Sequence, residues 1–317
     1  RLCAPGRRTL YDYLRTHDLA HRQTGKLVVA VADNEVEGLA RVRAAAAANG
    51  VESMRWLDAD GLARQAPGVR GVAALHVPVS GILDSHAFAL AMLAQAEAAG
   101  ATFVWHHGAS AIRGDADTVT VDCFDAGDGQ PSTLRARRAV NCAGHGAPGL
   151  YRATAGFGAR KGYRGGFAKG NYAAVGGGPP PEPLIYPVPQ AHSLGVHTTV
   201  DLAGQVRLGP DLEWVERFDA YAVAPDYPER ARAAAARYWP AVAQRRVRPD
   251  YAGVRPKLYH DGALLTDFVF EREPAEGAWR VLHCLGIESP GLTCALSIGA
   301  LAAGRPERAG LDAGLAL

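Results

Sequence analysis

The stretch that most constrains the fold lies near the C-terminus, where an apolar strand runs through a glycine turn into a helix. Residues 285–293 read LGIESPGLT, and the small apolar run CALSIG follows them. Ser289 is the expected N-cap of the helix and Pro290 its first residue, since serine and proline favour those positions. The free N–H groups of such a helix start suit a phosphate or an electron-rich ring edge. On spacing alone, an ordinary capped helix is the simpler interpretation.

The rest of the chain alternates strand and helix patterns, interrupted twice by β-rich segments. Helices are predicted at about 5–17 and at 84–99, and another is predicted to begin at a cap, Asp33 or Asn34, and to end at residue 49. A strand is predicted at 101–105. The pattern predicts an α/β (mixed α+β) fold with a nucleotide-type core and an antiparallel sheet packed on it. The predicted division is discontinuous: 1–23, 84–155 and 247–317 form the core, and 24–83 and 156–246 form a substrate domain.

Composition excludes several classes of protein. Of the 317 residues, 48% are hydrophobic and 21% charged, and the net charge of +2 comes from 34 basic and 32 acidic residues without a block of either sign. A nucleic-acid surface is therefore not expected. A membrane-spanning helix needs about 20 consecutive apolar residues, and no apolar run in the sequence is that long. The five cysteines form no C-x-x-C pair, which favours a reduced, cytoplasmic protein without a structural metal.

Few residues of the sequence indicate a catalytic or binding role by themselves. Arg255 precedes a proline, which favours extended backbone and a fixed guanidinium suited to a carboxylate, although a surface salt bridge is the commoner role for such an arginine. His197 lies in an apolar strand pattern, where a structural histidine is commoner than a base. Lys169 suits an anion but, as an isolated lysine, is more often solvated. No G-x-S-x-G elbow, H-E-x-x-H pair or P-loop is present.

Seven short stretches, taken together and in order, resemble one family. They are NCAG (141–144), KGNY (169–172), LIYPVP (184–189), LGVHTT (194–199), GPDLEWV (209–215), YAGVRPK (251–257) and GIESPGLT (286–293). This order is similar to that in the L-2-hydroxyglutarate dehydrogenase/oxidase branch of the D-amino-acid-oxidase-like flavoproteins. The opening residues 1–3 also fit, as the segment just after that family's first flavin-contacting region. The resemblance covers nearly the whole chain.

The resemblance implies a bound FAD and oxidation of a small 2-hydroxy acid by hydride transfer to flavin N5. Arg255 would bind the substrate carboxylate and His197 would accept the hydroxyl proton. Lys169, Tyr172 and Lys257 would meet a distal carboxylate, if the substrate has one. The implied cofactor contacts are Ala143 and Gly144 near the ribose and pyrophosphate, and Gly286, Ile287, Glu288, Ser289, Gly291, Leu292 and Thr293 at the ring edge.

The sequence departs from the family at its start. Members begin with a βαβ unit that carries G-x-G-x-x-G and an acidic residue for the ribose, and this N-terminal unit is missing here. We therefore expect a fragment or truncated gene product, which alone binds FAD weakly and is poorly stable.

Two other functions stay open from the sequence. An amine or amino-acid oxidase of the same fold would keep Arg255 but tolerate loss of His197, and a non-catalytic remnant would use neither. The expected partners are a small 2-hydroxy acid and an electron acceptor that is oxygen, a quinone or a protein. Peripheral association with a membrane is also left open.

Overall fold

The computed structural model describes residues 2–51, 53–114, 117–158, 161–178, 181–189, 195–274, 277–309 and 311. Helices and strands are mixed through the described chain, with long runs of consecutive strands between residues 107 and 141 and between residues 154 and 215. The helices are α1 (Cys3–Thr16), α2 (Asp33–Ala48), α3 (Ala59–Gln65), α4 (Ser85–Ala98), α5 (Ala147–Arg152), α6 (Tyr227–Ala236) and α7 (Gly291–Ala302). The strands are β1 (His21–Arg22), β2 (Lys26–Ala30), β3 (Arg55–Asp58), β4 (Ala73–Val77), β5 (Ile82–Leu83), β6 (His107–Gly114), β7 (Val119–Asp125), β8 (Pro131–Ala136), β9 (Ala139–Asn141), β10 (Thr154–Ala155), β11 (Tyr163–Val175), β12 (Leu184–Pro187), β13 (His197–Val200), β14 (Val206–Gly209), β15 (Glu213–Val215), β16 (Val247–His260), β17 (Ala263–Leu264), β18 (Val269–Glu273) and β19 (Val281–Leu285).

These strands form several separate sheets. The largest has the order β13-β14-β11-β16-β17, with β15 also paired to β11. A second, β12-β2-β4-β3, joins the two segments predicted to share the substrate domain. The remaining sheets are β10-β6-β7-β8, β18-β19-β9 and the two-stranded β1-β5. The architecture is mixed α/β, as the sequence predicts, and the division into two domains stays a prediction.

The long antiparallel ladder between β11 and β16 is the main feature that the sequence patterns do not predict. It runs from the Tyr163–His260 pair to the Val175–Val247 pair, with one irregularity between Asn171 and Ala173. Proline inside a strand removes a ladder hydrogen bond and argues against a strand from sequence, yet β16 contains two prolines. One of them, Pro249, pairs with Ala173 at the irregularity. The predicted domain boundary at 247 therefore falls where a strand of the large sheet begins.

A small parallel element lies beside this sheet. β9 and β19 run parallel, with Asn141 opposite His283. Because both strands end at the same edge, the turns that follow them, at 142–146 and 286–290, are neighbours. Ligands of α/β sheets bind at such carboxyl edges.

Two local predictions are wrong. Residues 101–105 form no strand: Phe103, Val104 and Trp105 are exposed, and the first strand after α4 begins at His107. No described strand pairs with 101–105, so an extended backbone there has no ladder to join. The N-cap of α2 is Ala32 instead of Asp33 or Asn34. Ala32 offers no side-chain hydrogen bond, and the Glu35 carboxylate in the first turn accepts from the backbone N–H of Val31, just before the helix, at 2.8 Å.

Helices α1 and α7 pack against each other through a glycine. A Cβ on Gly6 would lie 2.7 Å from the backbone oxygen of Thr293 and 3.2 Å from Cys294 Cα. A methyl group at this position therefore forces the two helices apart. This contact matters for function because it supports the first turn of α7.

We expect Gly6→Ala to lower the free energy of unfolding by about 1–3 kcal/mol, the usual cost of overpacking. Gly299→Ala in α7 is the matched control, since a Cβ there meets nothing within 4 Å. Because alanine favours helix more than glycine does, the control should be neutral or up to about 1 kcal/mol more stable. Urea unfolding followed by circular dichroism measures both, and equal stability of the two variants would contradict the packing argument.

Candidate active site

A cavity of about 660 Å³ opens at the start of α7. Its lining includes Cys3 from α1, Leu258 from β16, and Gly286, Glu288 and Ser289 from the turn after β19. Segments far apart in sequence therefore meet here. Leu2 and Cys3, at the start of the described chain, lie in the cavity wall, and Arg1 lies outside the described residues.

The predicted cap of α7 is wrong. Its N-cap position is Pro290, which has no side-chain donor or acceptor, and Ser289 lies one residue too early to cap. The first turn of α7 thus has no side-chain cap hydrogen bond. The Gly291 N–H donates to the Glu288 carbonyl at 2.5 Å, and the positive end of the helix dipole favours an electron-rich ligand at this end of the cavity.

The turn before α7 needs a glycine at its first position. Gly286 has φ of +66°, and a Cβ there would lie 3.0 Å from the Leu258 side chain. A larger residue would disfavour this backbone and press on the cavity wall. Ile287 packs into the apolar cluster beneath the turn, whereas Leu292 is exposed. Of the predicted cofactor residues of this turn, Gly286, Glu288 and Ser289 line the cavity and Ile287 supports it from beneath. Gly291, Leu292 and Thr293 lie outside the lining.

The neighbouring turn after β9 is held by a buried polar network. The Asn141 amide donates to the Ala147 carbonyl at 2.9 Å and lies 3.0 Å from His283 Nδ1, and its oxygen accepts from the Ala143 N–H. Gly144 follows with φ of +56°, and nothing lies within 4 Å of where its Cβ would be. This turn lines a second cavity of about 750 Å³.

One signal at this turn escaped the sequence analysis. The spacing G-x-G-x-x-G occurs at 144–149, directly after β9 and at the start of α5. Glycines at these positions permit close approach of a ligand to backbone, which is how dinucleotide sites use them. The arrangement suits the phosphate part of such a ligand.

A short ion pair joins the large sheet to the cavity. Lys257 Nζ on β16 lies 2.5 Å from Glu288 Oε1 in the turn before α7, and both side chains are largely buried. The pair fixes the sheet against the turn. Lys257 is therefore already neutralised.

Arg255 lies on the same strand, opposite Ala168 of β11. Its guanidinium donates to the Asp211 carbonyl at 3.0 Å, and it has no carboxylate partner among the described residues. A Cβ on Gly170 would come within 2.9 Å of Nη2, so this glycine makes the room that the guanidinium occupies. The surface salt bridge considered from the sequence is not formed within the described chain.

Tyr172 lies on the same face as Arg255, two residues beyond Gly170. Its ring stacks on Tyr251 with 4.6 Å between centroids. Burial raises the pKa of Tyr172 to about 12, so the phenol keeps its proton at neutral pH. Its ring lies against Gly209, where a Cβ would meet Tyr172 at 2.9 Å. Gly209 is paired with His197 on β13, which brings the histidine to this face of the sheet.

His197 is buried and stacked. Its ring lies 3.8 Å from that of Tyr186, nearly parallel, and Nδ1 lies 2.9 Å from the Gly195 carbonyl. A carbonyl accepts only, so Nδ1 carries the proton and Nε2 keeps its lone pair. Burial lowers the pKa of His197 to about 4, with the charges of Lys26 and Arg255 adding to the effect. The imidazole is therefore neutral at pH 7. Leu194, the first residue of its motif, lies outside the described residues.

Lys169 occupies a different position from Arg255 and His197. Its ammonium lies 3.0 Å from Glu213 Oε2 and donates to the Ala222 carbonyl. Alternation along β11 turns it away from the face that carries Gly170 and Arg255. Its role in the described chain is to hold β15 against β11.

Two residues of this region were missed from the sequence. Lys26, at the start of β2, has its ammonium 4.9 Å from the centre of the Tyr186 ring. Tyr186 belongs to β12, which pairs in parallel with β2. The available signal was a lysine opening an otherwise apolar strand. Together with His197 and Arg255, these side chains make a cationic site with aromatic walls.

Comparison with known proteins shows the family of the chain. The family described as FAD dependent oxidoreductase matches residues 1–305. The mitochondrial L-2-hydroxyglutarate dehydrogenase of Arabidopsis thaliana is 32% identical over 336 residues, covering 94% of this chain and 69% of that protein. The L-2-hydroxyglutarate dehydrogenase of Escherichia coli K12 is 25% identical, covering 95% of this chain and 77% of that protein.

Solved structures share the fold. An L-alpha-glycerophosphate oxidase from Mycoplasma pneumoniae with FAD bound aligns with a TM-score of 0.79 at 19% identity, over 96% of this chain and 79% of that one. A glycine oxidase from Geobacillus kaustophilus aligns with a TM-score of 0.76 at 19% identity, over 97% and 78%. Among the described residues, no helix is long and apolar enough to cross a membrane.

The buried imidazole gives a pH prediction. Because the pKa of His197 is about 4 in the folded protein, against an ordinary value of 6.5 for an exposed histidine, the folded chain binds this proton more weakly than the unfolded chain. The contribution of the neutral His197 to the free energy of unfolding is complete above pH 6.5. It is lost as the pH falls towards 4, and the loss amounts to about 3 kcal/mol. We expect His197→Asn, which keeps a donor for Gly195, to flatten the fall of unfolding free energy across this range. The exposed His86→Asn is the control, and an unchanged slope in His197→Asn would refute the assignment.

Proposed function

We propose that this chain oxidises a small 2-hydroxy acid like L-2-hydroxyglutarate to the 2-oxo acid. The chain belongs to the family of FAD-dependent oxidoreductases. One observation carries the proposal: Arg255 and His197 lie on the same face of the sheet. Arg255 lacks a carboxylate partner in the described chain, and His197 is buried and neutral. The sequence relatives named L-2-hydroxyglutarate dehydrogenase support the substrate type.

The residues at the sheet edge fit FAD. The uncapped first turn of α7 suits the electron-rich edge of the ring, and the open backbone around Gly144 suits the pyrophosphate. In this proposal the ring end is held by Gly286, Ile287, Glu288, Ser289, Gly291, Leu292 and Thr293, and the phosphate end by Ala143 and Gly144. When bound, FAD supplies the acceptor for the hydride that leaves the α-carbon.

The protein's own side chains bind the substrate and remove one proton. Arg255 binds the carboxylate next to the reacting carbon and so fixes the direction of the α-hydrogen. His197 Nε2 takes the hydroxyl proton as the α C–H bond breaks and the C=O bond forms. Tyr172, which stays protonated, is available as a hydrogen-bond donor beside Arg255.

The neutral histidine favours a hydroxy acid over an amino acid. A hydroxyl group must lose its proton during oxidation, so its reaction needs a base. An amine can arrive in its neutral form and needs none. An uncharged His197 with a free lone pair matches the first requirement.

The direct test is reduction of the flavin in the FAD-loaded protein without oxygen. We expect L-2-hydroxyglutarate to bleach the visible absorbance of the oxidised flavin, and the D-enantiomer to leave it unchanged. Reduction by amino acids but by no 2-hydroxy acid would instead establish the amine reaction. An FAD-loaded protein that no member of either class reduces would contradict the proposal.

We expect Arg255→Ala to lower kcat/KM for the hydroxy acid on the order of 100-fold, because charged hydrogen bonds to the carboxylate are lost. Arg248→Ala is the matched control, since Arg248 is an exposed arginine on the same strand. Steady-state kinetics with an artificial electron acceptor measures both variants. An Arg255→Ala enzyme with the activity of the control would remove the arginine from the site.

A further inference from the structure

Lys26 differs from every other lysine of the chain in lacking an acidic partner within the part that the structure describes. The chain has four lysines. Lys161 pairs with Glu271 at 2.8 Å, Lys169 with Glu213 at 3.0 Å and Lys257 with Glu288 at 2.5 Å. Lys26 forms neither a hydrogen bond nor an ion pair within the described residues; its ammonium lies against the Tyr186 ring.

This ammonium is poorly solvated. Burial lowers the pKa of Lys26 below its ordinary value, with the nearby Cys3 thiol acting in the opposite direction. A cation removed from water without a counter-charge is costly, so such groups are normally paired or bind an anion. An aromatic face compensates only part of that cost.

Lys26 lies close to the groups proposed to bind and oxidise the substrate. Tyr186, on which its ammonium lies, stacks on His197. The charges of Lys26 and Arg255 both act on His197. The imidazole therefore has two cations near it that lack carboxylate partners in the described chain, carried by β2 and β16.

Two cations near one imidazole match a substrate with two carboxylates. We infer that Lys26 binds the distal carboxylate of the substrate, while Arg255 binds the one beside the hydroxyl, so that the site selects short 2-hydroxydicarboxylates over 2-hydroxymonocarboxylates. This inference rests on the proposed function for the identity of the reacting carbon.

The family resemblance implied that Lys169, Tyr172 and Lys257 meet that distal carboxylate. Both of those lysines are already neutralised by glutamates, and a substrate carboxylate there would have to displace a formed ion pair. Lys26 needs no such exchange. The Cys3 thiol, whose pKa is lowered to about 6, chiefly by a hydrogen bond with Cys294, is a competing counter-charge for Lys26.

Binding of glutarate and butyrate to the FAD-loaded protein tests the inference without any reaction. Both acids lack the hydroxyl group, and only glutarate has the second carboxylate. We expect Lys26→Met to weaken glutarate binding roughly 10- to 100-fold in calorimetry, as the loss of a charged hydrogen bond predicts, and to leave butyrate binding unchanged. Lys26→Arg should restore most of the affinity for glutarate.

Two controls separate this role from a structural one. Lys161→Met removes an exposed lysine and should change neither affinity. Cys3→Ser removes the competing thiol and should keep or strengthen the preference for glutarate; loss of that preference would overturn the inference. Equal weakening of both acids in Lys26→Met, or no change in glutarate binding, would overturn the inference.

Kinetics distinguishes this inference from the proposed function. In Lys26→Met, kcat/KM for 2-hydroxyglutarate should fall, whereas kcat/KM for 2-hydroxybutyrate should not fall. If the wild-type protein oxidises no 2-hydroxy acid but its glutarate binding depends on Lys26, the proposed reaction is wrong and the dicarboxylate site stands. If the wild-type protein and Lys26→Met both oxidise 2-hydroxyglutarate and 2-hydroxybutyrate equally well, the proposed reaction stands and the inference about Lys26 is wrong.

Discussion

The antiparallel pairing of β11 with β16 is the interaction on which the candidate site depends. Its register puts Arg255 opposite Ala168 and beside Gly170, so the guanidinium lies over small residues. The same register turns Lys257 towards Glu288 and so joins the sheet to the start of α7. Because side chains alternate in a strand, a slip of one residue would turn Arg255 to the opposite face. The small residues of β11 are therefore part of the binding site, although they carry no chemistry.

The charged residues of this region fall into two groups. Lys169 and Lys257 are each neutralised by a glutamate from a neighbouring segment and hold elements together. Arg255 and Lys26 have no carboxylate partner in the described chain, and both lie close to His197. The first group fixes the shape of the site at little net charge. The second leaves it positive, which attracts an anionic substrate and resists a cationic one.

What the sequence predicts correctly is local, and what it misses depends on distant contacts. The helix predicted at 84–99 forms and is capped by Asp84, whose carboxylate accepts from the Ala87 N–H, because a cap involves only the next few residues. β16 was missed since its prolines argue against a strand, and only the partner β11 shows how they are accommodated. The family order of motifs predicted the fold and the cofactor class. A lysine that opens an apolar strand draws attention to Lys26, but the sequence does not show that Lys169 is paired and Lys26 is not, because folding brings Glu213 to Lys169 and no glutamate to Lys26 within the described chain.

The same two cations that suit a dianion also adjust the base. In the free protein their charges add to burial in keeping His197 neutral, with a pKa of about 4. At that value the imidazole is uncharged at pH 7 but is a weak acceptor for a hydroxyl proton. A bound dicarboxylate offsets both positive charges and places negative charge nearby, which favours the protonated imidazole. Binding of a dianion therefore raises the basicity of His197 at the moment when the proton must leave, whereas a monoanion offsets only one of the charges. Preference for a dicarboxylate would then show in kcat as well as in KM.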